Sequence, residues 1–109
     1  MDIGSGLGIF PYKIIKKNYE CTALDPDKNS CLHIKNNLGI KVYHGDYLKM
    51  KIKKKFDLIT FNKVIEHVEN PQNLITKSKK NLKKKGFIYI EVPDEKAKIK
   101  GKSREEFFI

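Results

Sequence analysis

Four polar side chains in this sequence fall at the ends of four candidate strands: Asp2, with almost no strand before it, Asp25, Asp46 and Asn62. A carboxylate accepts on both of its oxygens, so it can take an ammonium group, an amino group or the two hydroxyls of a sugar. Around the first of them lie Gly4, Ser5, Gly6 and Gly8, with the glycines at every second position after Asp2. That composition belongs to a strand end turning sharply into a helix, its backbone bared so that a ligand can lie against it. The chemistry on offer is recognition of a nucleotide-type ligand. The one candidate general base is His67, directly after Glu66.

Regular elements must position these groups. Ile9, Phe10, Ile14 and Ile15 put an apolar face on a helix over 9–17, with Pro11 tolerated in its first turn and Asn18 and Tyr19 closing it. Residues 20–25 read as a buried parallel strand that carries Asp25 at its tip and stops at Pro26. Cys31, Ile34 and Leu38 recur at helical spacing, and Gly39 is placed as the C-cap. Residues 40–44 alternate as a third strand ended by Gly45 and Asp46, and the lysine-dense stretch 49–55 reads as a surface loop. A strand over 56–61 leads to Asn62, and a short helical turn follows with Val64, Ile65 and Val68. Pro71 opens a helix with Leu74, Ile75, Ser78 and Leu82 facing in; Gly86 is then the turn into a last strand, 87–92, stopped by Pro93. Residues 94–104 read as a polar, mobile tail, and 105–109 as an apolar cluster with Glu105 and Glu106 as tail charges.

Strands alternating with helices predict an α/β fold: a doubly wound, mostly parallel sheet in a three-layer sandwich, its ligand crevice at the C-terminal strand ends. Two ligand types compete for that crevice. A dinucleotide fingerprint needs glycines at its first, third and sixth positions; counting from Gly4, the sixth is Ile9. Asp2 would also set a negative charge close to phosphates. An adenosyl ligand carrying an amino acid in place of phosphates suits the acids better.

At this point the chain resembles the class I S-adenosylmethionine (SAM)-dependent methyltransferases, with their Rossmann-like domain. Asp-Ile-Gly-Ser-Gly-Leu-Gly at 2–8 matches that family's first motif, and Ala-Leu-Asp-Pro-Asp at 23–27 its second-strand acidic motif. His-Gly-Asp-Tyr at 44–47, the segment 56–68 and the segment 81–93 resemble the third, fourth and fifth. The resemblance implies SAM as cofactor. It implies that Asp2 binds the methionine ammonium directly or through water, that Gly4 and Gly6 let the ligand's backbone lie close with Ser5 between them as a further binding residue, and that Gly8 serves helix packing. Asp25, followed by Pro26, would hold the ribose hydroxyls; Asp46 would accept from the adenine amino group with Tyr47 beside the ring. Asn62 and Lys63 would pass the methionine end. Some relatives hold a metal near the Glu-His pair, but Lys63 replaces their earlier glutamate, so no metal is expected. Each acid also has a plainer reading: Asp46 as a turn residue, Asp25 as a strand stop, and Glu66 and His67 as residues that cap and orient a helix.

The formal net charge of +10 invites a nucleic-acid partner. Arg104 is the only arginine among 23 basic residues, however, and the lysines accompany many Asn and Ile residues. A solvated lysine surface is therefore favoured over a polyanion site. Cys21 and Cys31 have no partner at metal-ligand spacing and read as small buried hydrophobes; His33 and His44 read as surface or strand residues. With no signal-peptide pattern and no long apolar run, the expected location is the cytoplasm, away from membranes. The resemblance also implies a methyltransferase core over 1–93, incomplete at both ends, with a shortened first strand and no C-terminal strands. Its acceptor would be an unidentified small molecule. The alternatives are a non-catalytic SAM-binding or remnant domain and, from another class, a basic RNA-binding module.

Overall fold

The computed structural model describes residues 1–62, 64–92 and 105–108, which fall in two compact units, Met1–Ile52 and Lys53–Ile109. The first unit begins with β1 (Asp2–Ile3), followed by α1 (Ile9–Lys16), β2 (Thr22–Asp25), α2 (Lys28–Leu38) and β3 (Lys41–His44). Its strands pair in parallel: Asp2 stands opposite Ala23, and Asp25 opposite His44. β2 is therefore the inner strand of this unit, and all four of its residues are buried. That burial explains its short, nearly uninterrupted apolar run.

Ala23, Ile34 and Ile40 form the centre of this unit's core, with Ile15, Leu38 and Val42 packed against them. Full burial of such an aliphatic side chain contributes about 1.5–3 kcal/mol. The helix ends follow their local chemistry. Asp27 caps α2, its carboxylate accepting from Ser30 N at 2.8 Å. Gly39 ends α2 in the left-handed conformation, at φ 66°. Asn18 does the same for α1 at φ 66°, a position that asparagine tolerates.

The second unit contains β4 (Phe56–Asn62), α3 (Pro71–Lys80), β5 (Leu82–Val92) and β6 (Glu105–Phe108). β4 and β5 run parallel, and β5 and β6 antiparallel. Ile59, Phe61, Leu74, Ser78 and Ile88 are buried here, the serine hydroxyl donating to the Ile75 carbonyl at 2.8 Å.

Three expectations change in this unit. Residues 105–108 form a strand, not an unpaired cluster at a tail end: Tyr89 pairs with Phe108 and Val92 with Glu105. Leu82 opens β5 instead of continuing the helix face, because Asn81 ends α3. The Asn81 carbonyl accepts from Phe56 N at 2.7 Å and its side-chain amide donates to the Lys54 carbonyl at 3.0 Å. Gly86 lies within β5, after a bulge in which the register jumps from Phe56–Leu82 to Leu58–Phe87. Lys85, at φ 68°, makes the left-handed step there. Gly86 is favoured by close approach, since a Cβ would sit 3.0 Å from the Lys83 carbonyl and 3.1 Å from that of Asp57, tighter than ordinary contact. Pro93, Lys63 and the tail 94–104 lie outside the described residues.

Candidate ligand-binding site

The site grows from the end of β1. Leu24 O accepts from Gly4 N at 2.7 Å and Ser5 N at 3.1 Å, so the glycine turn is sewn to the neighbouring strand as soon as β1 ends. The Ser5 hydroxyl shares its one proton between the Asp2 carbonyl at 2.8 Å and Asp2 Oδ2 at 2.9 Å. It also accepts weakly from Leu24 N at 3.4 Å. Asp2 itself is buried, so its carboxylate is fixed in place at the root of the turn.

Gly4, Gly6 and Gly8 all take left-handed φ values, 78°, 56° and 83°. Two of them serve different ends. At Gly8 an added Cβ would lie 2.8 Å from Leu38 Cδ1 and 2.9 Å from Ile34 Cγ1, so the glycine lets the start of α1 rest on α2. At Gly6 an added Cβ would meet nothing within 4 Å. The open face over Gly6 is what a ligand lying along the loop requires.

Asp25 joins this turn directly. Its Oδ2 accepts from Gly6 N at 2.8 Å and its Oδ1 from Asp27 N at 2.9 Å. Each oxygen keeps a further lone pair, so a diol can still be accepted by both. The Asp25 carbonyl is held by Gly45 N at 3.0 Å and by the Cys31 thiol at 3.3 Å. The structure thus brings Asp2, Ser5, Gly6 and Asp25 into one bonded cluster, with exposed Pro26 at its rim.

Asp46 lies one residue beyond Gly45, exposed, with Oδ1 accepting from Leu48 N at 3.0 Å as the cap of a short 3₁₀ turn, Tyr47–Lys49. Tyr47 is buried, and desolvation pushes its phenol up to about 12. As placed, its ring packs inside the protein, and Asp46 presents the exposed polar group of the pair. In the second unit Asn62 ends β4, and His67 ends a 3₁₀ turn, Ile65–His67. The His67 side chain is 77% exposed, with Nε2 3.5 Å from Glu66 Oε1. Among the described residues no three His, Cys, Asp or Glu side chains are grouped to hold a metal ion. Nor is any helix there long and apolar enough to cross a membrane.

Sequence reasoning missed His44. Its Nε2 lies 3.1 Å from the Pro26 carbonyl, a contact across adjacent strand ends that has no local signature. It also left unseen an open cleft of about 280 Å³ lined by Leu7, Gly8, Ile9, Tyr12, Lys13, His33 and Leu38. That cleft contains none of the acids and is not the site described above.

Residues 1–107 match the family described as Methyltransferase domain. The chain belongs to that family. Curated relatives include the ubiquinone biosynthesis O-methyltransferases of Glaesserella parasuis, 31% identical over 90% of this chain and 46% of that protein, and of Pelagibacter ubique, 32% identical over 83% and 40%. The chain spans a little under half the length of these relatives. Among solved structures, the glycopeptide N-methyltransferase MtfA complexed with S-adenosyl-L-homocysteine superposes with a TM-score of 0.79 at 15% identity, covering 89% of this chain and 44% of MtfA. That likeness shows the fold: this methyltransferase domain is a Rossmann-like, doubly wound α/β domain.

Proposed function

We propose that this methyltransferase domain binds SAM and transfers its methyl group to a small-molecule acceptor. The observation that supports this most is the Asp2–Ser5–Gly6–Asp25 cluster beneath the open face of Gly6. It offers two fixed carboxylates and an uncovered backbone, which fits an amino-acid–adenosyl ligand and repels a pyrophosphate. The solved relative MtfA has been crystallised with SAM, and the curated relatives are named for O-methyl transfer in ubiquinone biosynthesis.

In this reading Asp2, buried at the root of the turn, holds the ammonium end directly or through water, Gly4 and Gly6 let the ligand approach the turn, and Asp25 takes the ribose hydroxyls. Asp46 accepts from the adenine amino group. Bound SAM supplies an activated methyl on a sulfonium. The chain's own task is then to hold the two reactants in line and keep water out. A proton need be taken only from a hydroxyl-type acceptor, and His67 is the side chain assigned to that step.

The test is transfer of label from methyl-labelled SAM to a panel of small phenols and amines. Labelled product supports the reading. SAM binding without transfer to any of them would favour the non-catalytic alternative, and absence of binding would remove both.

A further inference from the structure

The turn that carries Asp25 is gripped from a second side. His44 closes β3 in register with Asp25, and its Nε2 lies 3.1 Å from the carbonyl oxygen of Pro26. A carbonyl only accepts, so Nε2 bears the proton and donates. The same peptide unit, Pro26–Asp27, donates its N–H to Asp25 Oδ1 at 2.9 Å. A trans peptide is planar, with its C=O and N–H pointing in opposite directions. Fixing the carbonyl therefore fixes the direction in which the N–H is aimed, and with it one oxygen of Asp25. Gly6 N fixes the other, at 2.8 Å.

We propose that His44 is a positioning residue for ligand binding: by clamping the Pro26–Asp27 peptide plane it sets the orientation of the Asp25 carboxylate toward a ribose diol. The role rests on Asp25 being the diol ligand proposed above. Pro26 sharpens the need for the clamp. Having no N–H, it leaves the carbonyl as the turn's handle at that residue. The backbone path survives loss of the imidazole, because Gly45 N still holds the Asp25 carbonyl at 3.0 Å and Asp27 still caps α2. A His44 variant should therefore fold.

The experiment is calorimetric titration of the full chain with S-adenosylhomocysteine and with its 2′,3′-dideoxy analogue, for wild type, His44→Ala and His44→Gln. One hydrogen bond's contribution predicts that His44→Ala weakens S-adenosylhomocysteine about fivefold, with the dideoxy analogue changing less than about twofold. The glutamine amide can donate from a comparable place and should restore most of the loss. Equal losses on both ligands, no loss on either, or failure of glutamine to rescue would overturn the role. Wild type that binds both ligands equally would instead remove the Asp25 assignment, and the clamp with it. Thermal unfolding of each variant separates these outcomes from simple misfolding.

Discussion

Alanine at Gly8 and at Gly6 should damage this protein in opposite ways, although the two positions are two residues apart. Both have left-handed backbone, at φ 83° and 56°. Placing an alanine there costs roughly 1–2 kcal/mol per residue in backbone strain alone. Gly8→Ala adds a clash: the new methyl would lie 2.8 Å from Leu38 Cδ1 and 2.9 Å from Ile34 Cγ1. Ile34 is fully buried, so it has little room to give. Overpacking of this kind costs about 1–3 kcal/mol, for a total of about 2–5 kcal/mol. That is a large share of the roughly 5–15 kcal/mol that holds a domain together. Gly6→Ala meets no atom within 4 Å and should cost only the backbone strain, but its methyl enters the open space where the proposed ligand would lie. Urea unfolding reads the first effect and titration with S-adenosylhomocysteine the second. Gly8→Ala unfolding within about 0.5 kcal/mol of wild type, well below the overpacking range, would refute the packing argument. Undiminished ligand affinity in Gly6→Ala would refute the ligand argument.

Other outcomes follow from the same geometry. Ser5→Ala removes the hydroxyl shared with buried Asp2 and should lower unfolding stability by about 1–3 kcal/mol, measured by the same denaturation. Asp27 is held below its ordinary 3.8, first by the Ser30 backbone N–H and then by the Ser30 hydroxyl. Its folded pKa is depressed, so the capping stability is fully present above pH 3.8 and is lost as pH falls through the lower folded value. The stability gap between wild type and Asp27→Ala should accordingly be constant near neutrality and close on acidification; a gap that persists in acid would contradict the cap. Burial pushes the Cys21 thiol up to about 11 and raises that of Cys31 as well. Both should alkylate with iodoacetamide more slowly than free cysteine at pH 8 and speed up on unfolding; rapid reaction of the native chain would show that the thiols are not shielded as described.

Local chemistry made much of the first unit legible. The glycine turn, the acids at strand tips, the Gly39 cap and the Asn18 stop each depend on residues within a few positions of one another, and the structure places them as those rules require. The second unit departs where distant contacts decide. Leu82 keeps helical spacing with Leu74 and Ser78, yet Asn81 is drawn away by Lys54 and Phe56, residues remote in sequence. β6 pairs with β5 across a long interval, and nothing in Glu105–Phe108 alone announces a partner. Within the site, Asp25 was legible as a strand-tip carboxylate. Its two backbone donors and the grip of His44 on Pro26 were not, because each comes from another strand or turn. The burial of Tyr47 was hidden in the same way, since a tyrosine after Gly-Asp reads equally as an exposed platform.

The central claim is that this domain binds an adenosyl amino acid through Asp25. Calorimetric titration of the full chain with SAM, alongside Asp25→Ala, tests it most directly. Saturable one-to-one binding by wild type, abolished in a variant that still unfolds cooperatively, is the predicted result. Equal affinity in the two proteins, or no binding by a cooperatively folded wild type, would contradict it.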